Sequence, residues 1–387
     1  MPEKPLKICH VITRMIVGGA QENTLLSVKG QMEDGHEVVL LTGPTTGPEG
    51  TLLGTAAIPG LRVVEEPALI RAVNPLKDWV AYRRLKNHFL AEKYAVVHTH
   101  ASKAGIIGRA AAWSARVPLV VHTVHGQAFH RYETWWRNKL YITMERFAAR
   151  RCHHIFAVAE AMIDQCVKAG VAPREKYSVV YSGMDMDAFL NARPEPELRA
   201  ALGIPENAPV IGKIARLFDL KGHDYLFEAA PAIVAEFPEA RFILVGDGIL
   251  KAEFQKKIKS MGLEENFIFT GLVPPGDVPR YTALMDVLAH LSLREGLPRT
   301  VVQALAAGKP AVGFDLDGTP EVIQEGETGH LCPPEDARAV ELAILDLLRH
   351  PRKAQDMGAT GRQRVRKNFD WRHMAACLQE AYYRLLG

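Results

Sequence analysis

Ile214-Ala215-Arg216 closes an apolar, β-branched run, and Lys221-Gly222 opens the helical pattern that follows it. An arginine and a lysine thus share one strand-to-helix loop. Two cations at a helix N-terminus, where unpaired N–H groups already favour negative charge, suit a diphosphate leaving group. For either residue alone, a solvated surface charge is the plainer reading. Farther on lies SLREGLPRTVVQALAAG, Ser292 to Gly308. Pro298 fits the first turn of a helix and Gly308 its end. Glu295, Gly296 and Leu297 then sit in the preceding loop. Thr300 and Val301 sit in the first turn, where free N–H groups can hold a phosphate, and Gln303 lies farther along the same helix. Glu295 can accept hydrogen bonds from sugar hydroxyls there, although a glutamate at a helix start is common for the dipole alone. Val245-Gly246-Asp247-Gly248 and Thr270-Gly271-Leu272-Val273 each end a strand-like run in a tight turn. Their backbone can face a nucleotide base or simply turn the chain.

In the first half, a strand-like run leads into Ile16-Val17-Gly18-Gly19-Ala20 before a helical pattern. Gly18 and Gly19 let backbone approach a ligand closely, with phosphate the natural guest; a tight turn is the competing reading. Neither a GxGxxG fingerprint nor a Walker A sequence occurs. Two further run ends carry histidine pairs, His98 with His100 and His122 with His125. They form either a cluster of packed imidazoles or a zinc site, but no carboxylate or cysteine stands near them to complete a ligand set. A third reading places His125, before Gly126, against substrate. The Asp-x-Asp triplets at Asp185 and Asp315 have the spacing of some metal-dependent sugar transferases, and both are read as turns. No metal site is expected. RYETWWRNKLYITMERFAARR, Arg131 to Arg151, is basic and aromatic at helical spacing. It reads as an ordinary helix with its aromatics in the core, or as a helix that lies on an anionic membrane.

The elements that must hold these residues follow from periodicity. Short apolar runs at Lys7 to Ile12, Glu37 to Thr42, Ala95 to Thr99, Leu119 to Thr123 and His154 to Val158 alternate with helical patterns. The alternation resumes at Val210 to Ala215, Arg241 to Val245, Asn266 to Thr270, Val287 to Leu291 and Ala311 to Phe314. Such alternation predicts parallel sheets covered on both faces, with ligands at the carboxyl ends of the strands. A chain of 387 residues exceeds one core. The fold expected is α/β, two tandem Rossmann-like doubly wound domains with a cleft between them. The domains expected are 1–188 and 189–370. Residues 371–387 would form a helix packing back on the first domain. The stretch from Asn191 to Pro209, with its four prolines, reads as a linker and a short helix.

Composition excludes several classes. Apolar residues make up 48% and the net charge is +3, ordinary for a globular protein and too small for a nucleic-acid field. No apolar run approaches the roughly 20 residues of a membrane span. Five widely spaced cysteines do not make a disulfide framework. With no signal-peptide pattern at its start, the chain is expected in the cytoplasm, in peripheral contact with the membrane's cytoplasmic face.

These motifs together resemble glycosyltransferase family 4, the retaining nucleotide-sugar transferases of the GT-B fold. The resemblance rests on Gly18-Gly19-Ala20, VVHTHASKAGIIGRAAA (Val96 to Ala112), HTVHG (His122 to Gly126) and YSGMD (Tyr181 to Asp185). It continues through Arg216 with Lys221-Gly222, Val245 to Gly248, Ser292 to Gly308 and Gly318 to Glu321. It implies that Gly18 and Gly19 approach the donor diphosphate, and that Arg216 and Lys221 neutralise it as it leaves. Glu295 would hold hydroxyls of the transferred sugar, Thr300 and Val301 would donate N–H groups to phosphate, and His125 would lie near the anomeric carbon. Domain 1–188 would bind the acceptor and domain 189–370 the donor, a UDP- or GDP-linked sugar, with no other cofactor and no metal. The acceptor would be a saccharide, free or lipid-linked, in cell-surface glycan synthesis. One departure stands out: the family's second glutamate, which typically binds ribose hydroxyls, is Gln303 here. An amide keeps one acceptor and one donor but loses the charge-assisted bond. The rival functions are a sugar-nucleotide 2-epimerase of the same fold and a non-catalytic sugar-nucleotide-binding protein.

Overall fold

The structure, a computed structural model, describes residues 4–45, 52–55 and 58–387. The chain divides into two compact units, Met1–Met184 with Phe369–Gly387, and Asp185–Asn368. The first unit holds seven parallel strands: β1 (Lys7–Ile12), β2 (Glu37–Thr42), β3 (Arg62–Glu65), β4 (Val96–His100), β5 (Leu119–Val124), β6 (His154–Ala157) and β7 (Tyr177–Val179). Their order is β3-β2-β1-β4-β5-β6-β7. The second holds six: β8 (Val210–Ile214), β9 (Arg241–Val245), β10 (Phe267–Gly271), β11 (Val287–His290), β12 (Ala311–Phe314) and β13 (Gly329–Cys332), in the order β10-β9-β8-β11-β12-β13. All named pairings are parallel, among them Ile8 with Val96 and Leu288 with Ala311. Strand order reverses between β1 and β4, and again between β8 and β11. These are the points where an open sheet receives ligands at its carboxyl edge.

Burial explains the apolar strands. β4 and β11 are buried at every residue, because helices cover both faces of each sheet. In the first unit, Ile8, Val96, Leu119, Val121 and Phe156 lie beneath Met374, Leu378, Ala381 and Tyr382 of the helix Trp371–Leu386. Asp370 caps that helix by accepting from Arg372 N at 2.7 Å. The last helix thus belongs to the first unit's core. It crosses the helix Gly19–Glu33 so closely that a Cβ on Gly30 would come within 2.4 Å of Ala375 Cβ. In the second unit Phe227, Phe242, Phe254 and Phe267 pack together, with Phe242 and Phe267 stacked at 4.5 Å. Asp336 caps the helix Ala337–Arg349 over this core.

Three short strands, β3, β7 and β13, were not foreseen; each is a sheet edge. The proline-bearing stretch expected as a linker packs into the second unit. Arg199 donates to Pro205 O at 2.7 Å and Ala208 O at 2.6 Å, and Glu195 pairs with Arg280 at 2.6 Å. The helix Trp135–Ala149 buries only Ala148 and Ala149. Its aromatics therefore do not enter the core: Trp135 is 77% exposed and Trp136 51%.

The contact at Gly30 makes a checkable demand. Gly30→Val should force the helices Gly19–Glu33 and Trp371–Leu386 apart and lower stability by about 1–3 kcal/mol, read by urea unfolding. An unchanged midpoint would show that the two helices part without cost.

Candidate functional site

In the second unit the two strands flanking the order reversal supply the charged groups. After β8 the chain passes Arg216 and Lys221 and reaches Gly222 at φ +66°. A Cβ there would lie 1.8 Å from Leu291 O, so only glycine allows this loop to close against the end of β11. That closure sets Lys221 Nζ 2.8 Å from Glu295 Oε2. Glu295 is also held from behind, its N–H donating to Asp317 Oδ2 at 2.9 Å. Asp317 itself sits at φ +53°, in the turn expected for that triplet. His290, at the end of β11, lies 4.0 Å from Glu295 Oε2 and bonds Thr300 Oγ1 at 3.2 Å.

The electrostatics follow from this packing. Burial works most strongly against the Glu295 charge, but Lys221, His290 and hydrogen bonds from Lys221 and Ser292 outweigh it and hold the carboxyl below its usual range. Burial lowers His290 to about 4, with Lys213 and Lys221 opposing its charge and Glu295 favouring it. Lys213, inside β8 and 2% exposed, is lowered to about 7 by burial and by repulsion from Lys221, against attraction to Glu295. The site therefore carries a fixed ion pair flanked by a neutral imidazole and a lysine easily deprotonated. Arg216 is exposed, its guanidinium 5.0 Å from the Phe218 ring centre.

The other expected donor residues divide. Glu295 and Lys221 are brought together, with Thr300 linked to them through His290. Val301 departs from expectation. Its N–H donates to Pro298 O at 3.0 Å and its side chain is fully buried, because the helix begins at Arg299 with Pro298 as its cap. The amide expected to hold phosphate is already satisfied. Gly246 N–H likewise donates to Gly271 O at 3.1 Å. At φ +140°, a Cβ on Gly246 would meet Ala215 O at 2.2 Å, so this glycine is required by backbone packing. Gly296 and Leu297 are buried, Gln303 and Val273 half-buried, and Leu272 76% exposed.

In the first unit, Gly18 and Gly19 are half-buried after β1, at the start of the helix Gly19–Glu33. Gly18 is extended (φ 175°), and a Cβ there meets only the end of the Gln21 side chain. The four expected histidines do gather, and His10 of β1, which sequence reasoning missed, joins them. His10 Nδ1 lies 2.9 Å from His100 Nε2, and His100 Nδ1 2.9 Å from His125 Nε2. His98 contacts Tyr382 OH at 2.5 Å and Thr123 Oγ1 at 2.7 Å, and His122 contacts Thr99 Oγ1 at 2.9 Å. His10, His98 and His100 are the group that could hold a metal among the described residues. Their nitrogens are instead spent on one another and on Gln31, Tyr382, Thr123 and His125, and no carboxylate or thiolate joins the set. A cavity of about 20 Å³, lined in part by Arg109, His122, His125 and Phe129, has room for one water but not for a sugar.

Residues 17–188 match the family profile "Glycosyltransferase Family 4" and residues 194–364 match "Glycosyl transferases group 1". This chain is a family 4-type glycosyltransferase. It is 29% identical over 335 residues to the UDP-Gal:alpha-D-GlcNAc-diphosphoundecaprenol alpha-1,3-galactosyltransferase of Escherichia coli, covering 86% of this chain and 85% of that one. It is 32% identical over 209 residues to a GDP-mannose-dependent alpha-(1-6)-phosphatidylinositol monomannoside mannosyltransferase of Mycolicibacterium smegmatis, covering 51% of this chain and 54% of the relative. Its fold matches that of Anabaena HepE in complex with UDP, at a TM-score of 0.81 and 24% identity, covering 98% of this chain and 100% of that one. The two parallel α/β units are those of a GT-B glycosyltransferase.

The buried imidazoles should make the fold acid-sensitive. Burial lowers His10 to about 4, as it does His290, and pushes His98, His100 and His122 well down. An unfolded histidine titrates near 6.5, so between pH 6.5 and pH 4 the unfolded chain binds more protons than the folded one. Stability is then fully present above pH 6.5 and lost as pH falls through this window, by up to about 3 kcal/mol for each fully buried imidazole. Urea unfolding at pH 7, 6 and 5 should show a steep decline. A flat profile would mean that these rings are charged or exposed in solution.

Proposed function

We propose that this glycosyltransferase moves a sugar from a UDP- or GDP-linked donor to a saccharide or lipid-linked saccharide acceptor, with retention of anomeric configuration and without a metal. The observation that carries this reading is the Lys221–Glu295 pair, with Arg216 in the same loop as Lys221, at the order reversal of the second sheet. Relatives named for UDP-galactose and GDP-mannose, and a fold neighbour solved with UDP, favour a nucleoside diphosphate donor. The E. coli relative's name specifies a diphosphoundecaprenol-linked acceptor.

In this reading Arg216 and Lys221 take up the charge that develops on the departing diphosphate, the part a divalent cation plays elsewhere. Glu295 turns from Lys221 toward the hydroxyls of the transferred sugar, and Gln303 bonds the ribose. Thr300, Gly18 and Gly19 line the phosphates, and His125 lies near the anomeric carbon. The acceptor hydroxyl oxygen bonds to that carbon on the face from which the diphosphate leaves. The carbon–phosphate oxygen bond breaks, and the hydroxyl proton passes to the departing phosphate oxygen. The resting ion pair keeps both charges in position before the donor arrives, so neither must be reoriented from solvent.

A peripheral membrane contact suits a lipid-linked acceptor. Trp135, Trp136, Leu140, Met144 and Phe147 stand exposed on one short helix beside Lys139 and Arg150. No helix among the described residues is long and apolar enough to cross a membrane.

Arg216→Ala and Lys221→Ala should each lower kcat more than tenfold, as loss of transition-state charge stabilisation does; the melting temperature should change little in Arg216→Ala and fall in Lys221→Ala, which leaves the Glu295 carboxylate without its partner. Activity of the unaltered enzyme should survive EDTA. Near-normal turnover in both variants, or loss on chelation reversed by Mn²⁺ or Mg²⁺, would refute the electrostatic assignment. Sedimentation with anionic vesicles should show weak binding at low salt that Trp135→Ala with Trp136→Ala abolishes. No binding at about 0.01 M ionic strength, where the Debye length is about 30 Å, would refute the membrane contact.

A further inference from the structure

Three imidazoles and one amide form a single hydrogen-bonded file through the core of the first unit. Gln31 Oε1 lies 2.8 Å from His10 Nε2, His10 Nδ1 2.9 Å from His100 Nε2, and His100 Nδ1 2.9 Å from His125 Nε2. Gln31, His10 and His100 are each fully buried, whereas His125 is half-buried at the end of the file. The rings lie nearly parallel, 13° apart for His10 and His100 and 29° for His100 and His125. His10 and His100 stand on β1 and β4, the two strands flanking the order reversal.

Proton counting gives this file a direction. The Gln31 amide points its nitrogen at Tyr382 OH, at 3.3 Å, so its oxygen faces His10 and can only accept. His10 must then carry its proton on Nε2. A neutral ring has one N–H, so His10 Nδ1 accepts, and His100 Nε2 must donate to it. His100 Nδ1 in turn accepts, and His125 Nε2 must donate. Burial keeps the inner rings neutral, lowering His10 to about 4 and His100 well below its ordinary value. The side branch agrees: Tyr382, receiving from Gln31, donates to His98 Nδ1, and His98 Nε2 donates to Thr123 Oγ1.

We propose that Gln31, His10 and His100 are positioning residues that hold His125 as its Nε2–H tautomer, making Nδ1 the nitrogen that accepts a hydrogen bond from a hydroxyl of the reacting sugar. The inference rests on the role proposed above for His125. The order of protons is an all-or-none property of the file. Reversing the Gln31 amide would reverse every donor in it and put the His125 proton on Nδ1. A metal at His10, His98 and His100 would need the lone pairs the file has already committed, so metal loading and tautomer control exclude each other here.

Two measurements test this. Long-range ¹H–¹⁵N NMR of the ¹⁵N-histidine-labelled enzyme at pH 7 reads the tautomer of each ring without reference to activity. It should show His125 protonated at Nε2 and unprotonated at Nδ1, and a protonated Nδ1 would overturn the proposal. Transfer kinetics then ask whether the file matters to turnover. His100→Phe should lower kcat on the order of tenfold with a donor KM changed less than twofold. His100→Asn and His10→Gln, which keep one donor and one acceptor, should regain part of it. Equal losses in the phenylalanine and amide variants would reduce the file to simple packing, and a stoichiometric metal in the purified enzyme would replace it with a metal site. Absence of transferase activity in the parent enzyme would sink the functional reading while leaving the NMR result to decide the tautomer.

Discussion

A parallel sheet covered on both faces leaves polar side chains few places to stand, and the rest of this molecule follows from that constraint. Within the strands there is no water to meet a charge, so reactive groups must gather where strands end. Where strand order reverses, the connections leave in opposite directions and the carboxyl edge stays open. Both units use this opening alike. In the second, the loops after β8 and β11 supply Lys221 and Glu295, and Gly222 is small enough to let those loops touch. In the first, β1 and β4 lead to Gly18, Gly19 and the imidazole file that ends at His125.

In the proposed reading the second site holds an anion although much of its own charge cancels at rest. Lys221 and Glu295 neutralise each other, Burial keeps His290 neutral at ordinary pH, and Lys213 gives up its proton far more readily than a surface lysine. In the proposed reading, a diphosphate entering this site would meet a preorganised lysine and free a carboxylate that can only accept, which suits sugar hydroxyls. The pair's orientation is fixed by groups that touch neither charge directly in sequence: Asp317 grips the Glu295 backbone, and Thr300 bonds His290.

The sequence makes some of this readable and hides the rest for definite reasons. The nine central strands announce themselves because burial on both faces demands unbroken apolar runs, and the edge strand β10 does so through its own apolar run. β3, β7 and β13 do not: an edge strand such as Arg62–Glu65 is half solvated and carries no such run. The amphipathic pattern of Trp371–Leu386 is plain, and its apolar face finds the first sheet. Arg216, Lys221 and Glu295 were legible because each follows a strand run. Asp317 was not, since its Asp-x-Asp triplet suggests a metal or a turn, and only folding brings it to Glu295. Val301 misleads for a local reason: the helix starts one residue later than its proline implies, and the turn consumes its amide. The same pattern of residues was compatible with aromatics inward or outward on Trp135–Ala149, and only packing decides that they face out.

His10 was invisible because one histidine inside KICHVI reads as a blemish in an apolar strand. Its burial is informative for that reason. Imidazoles at His10, His98 and His100 must each find partners for both ring nitrogens, and a half-satisfied buried network is worse than an aliphatic core. Valine or leucine at these strand positions would pack the sheet with no such requirement and with no stability lost on acidification. A folding argument alone therefore gives no reason for three adjacent buried rings. What the aliphatic core cannot do is transmit direction: a file of neutral rings anchored on an amide carbonyl fixes which nitrogen of the outermost ring carries the proton. That asymmetry distinguishes a donor from an acceptor at the one imidazole of the file that reaches the edge of the sheet.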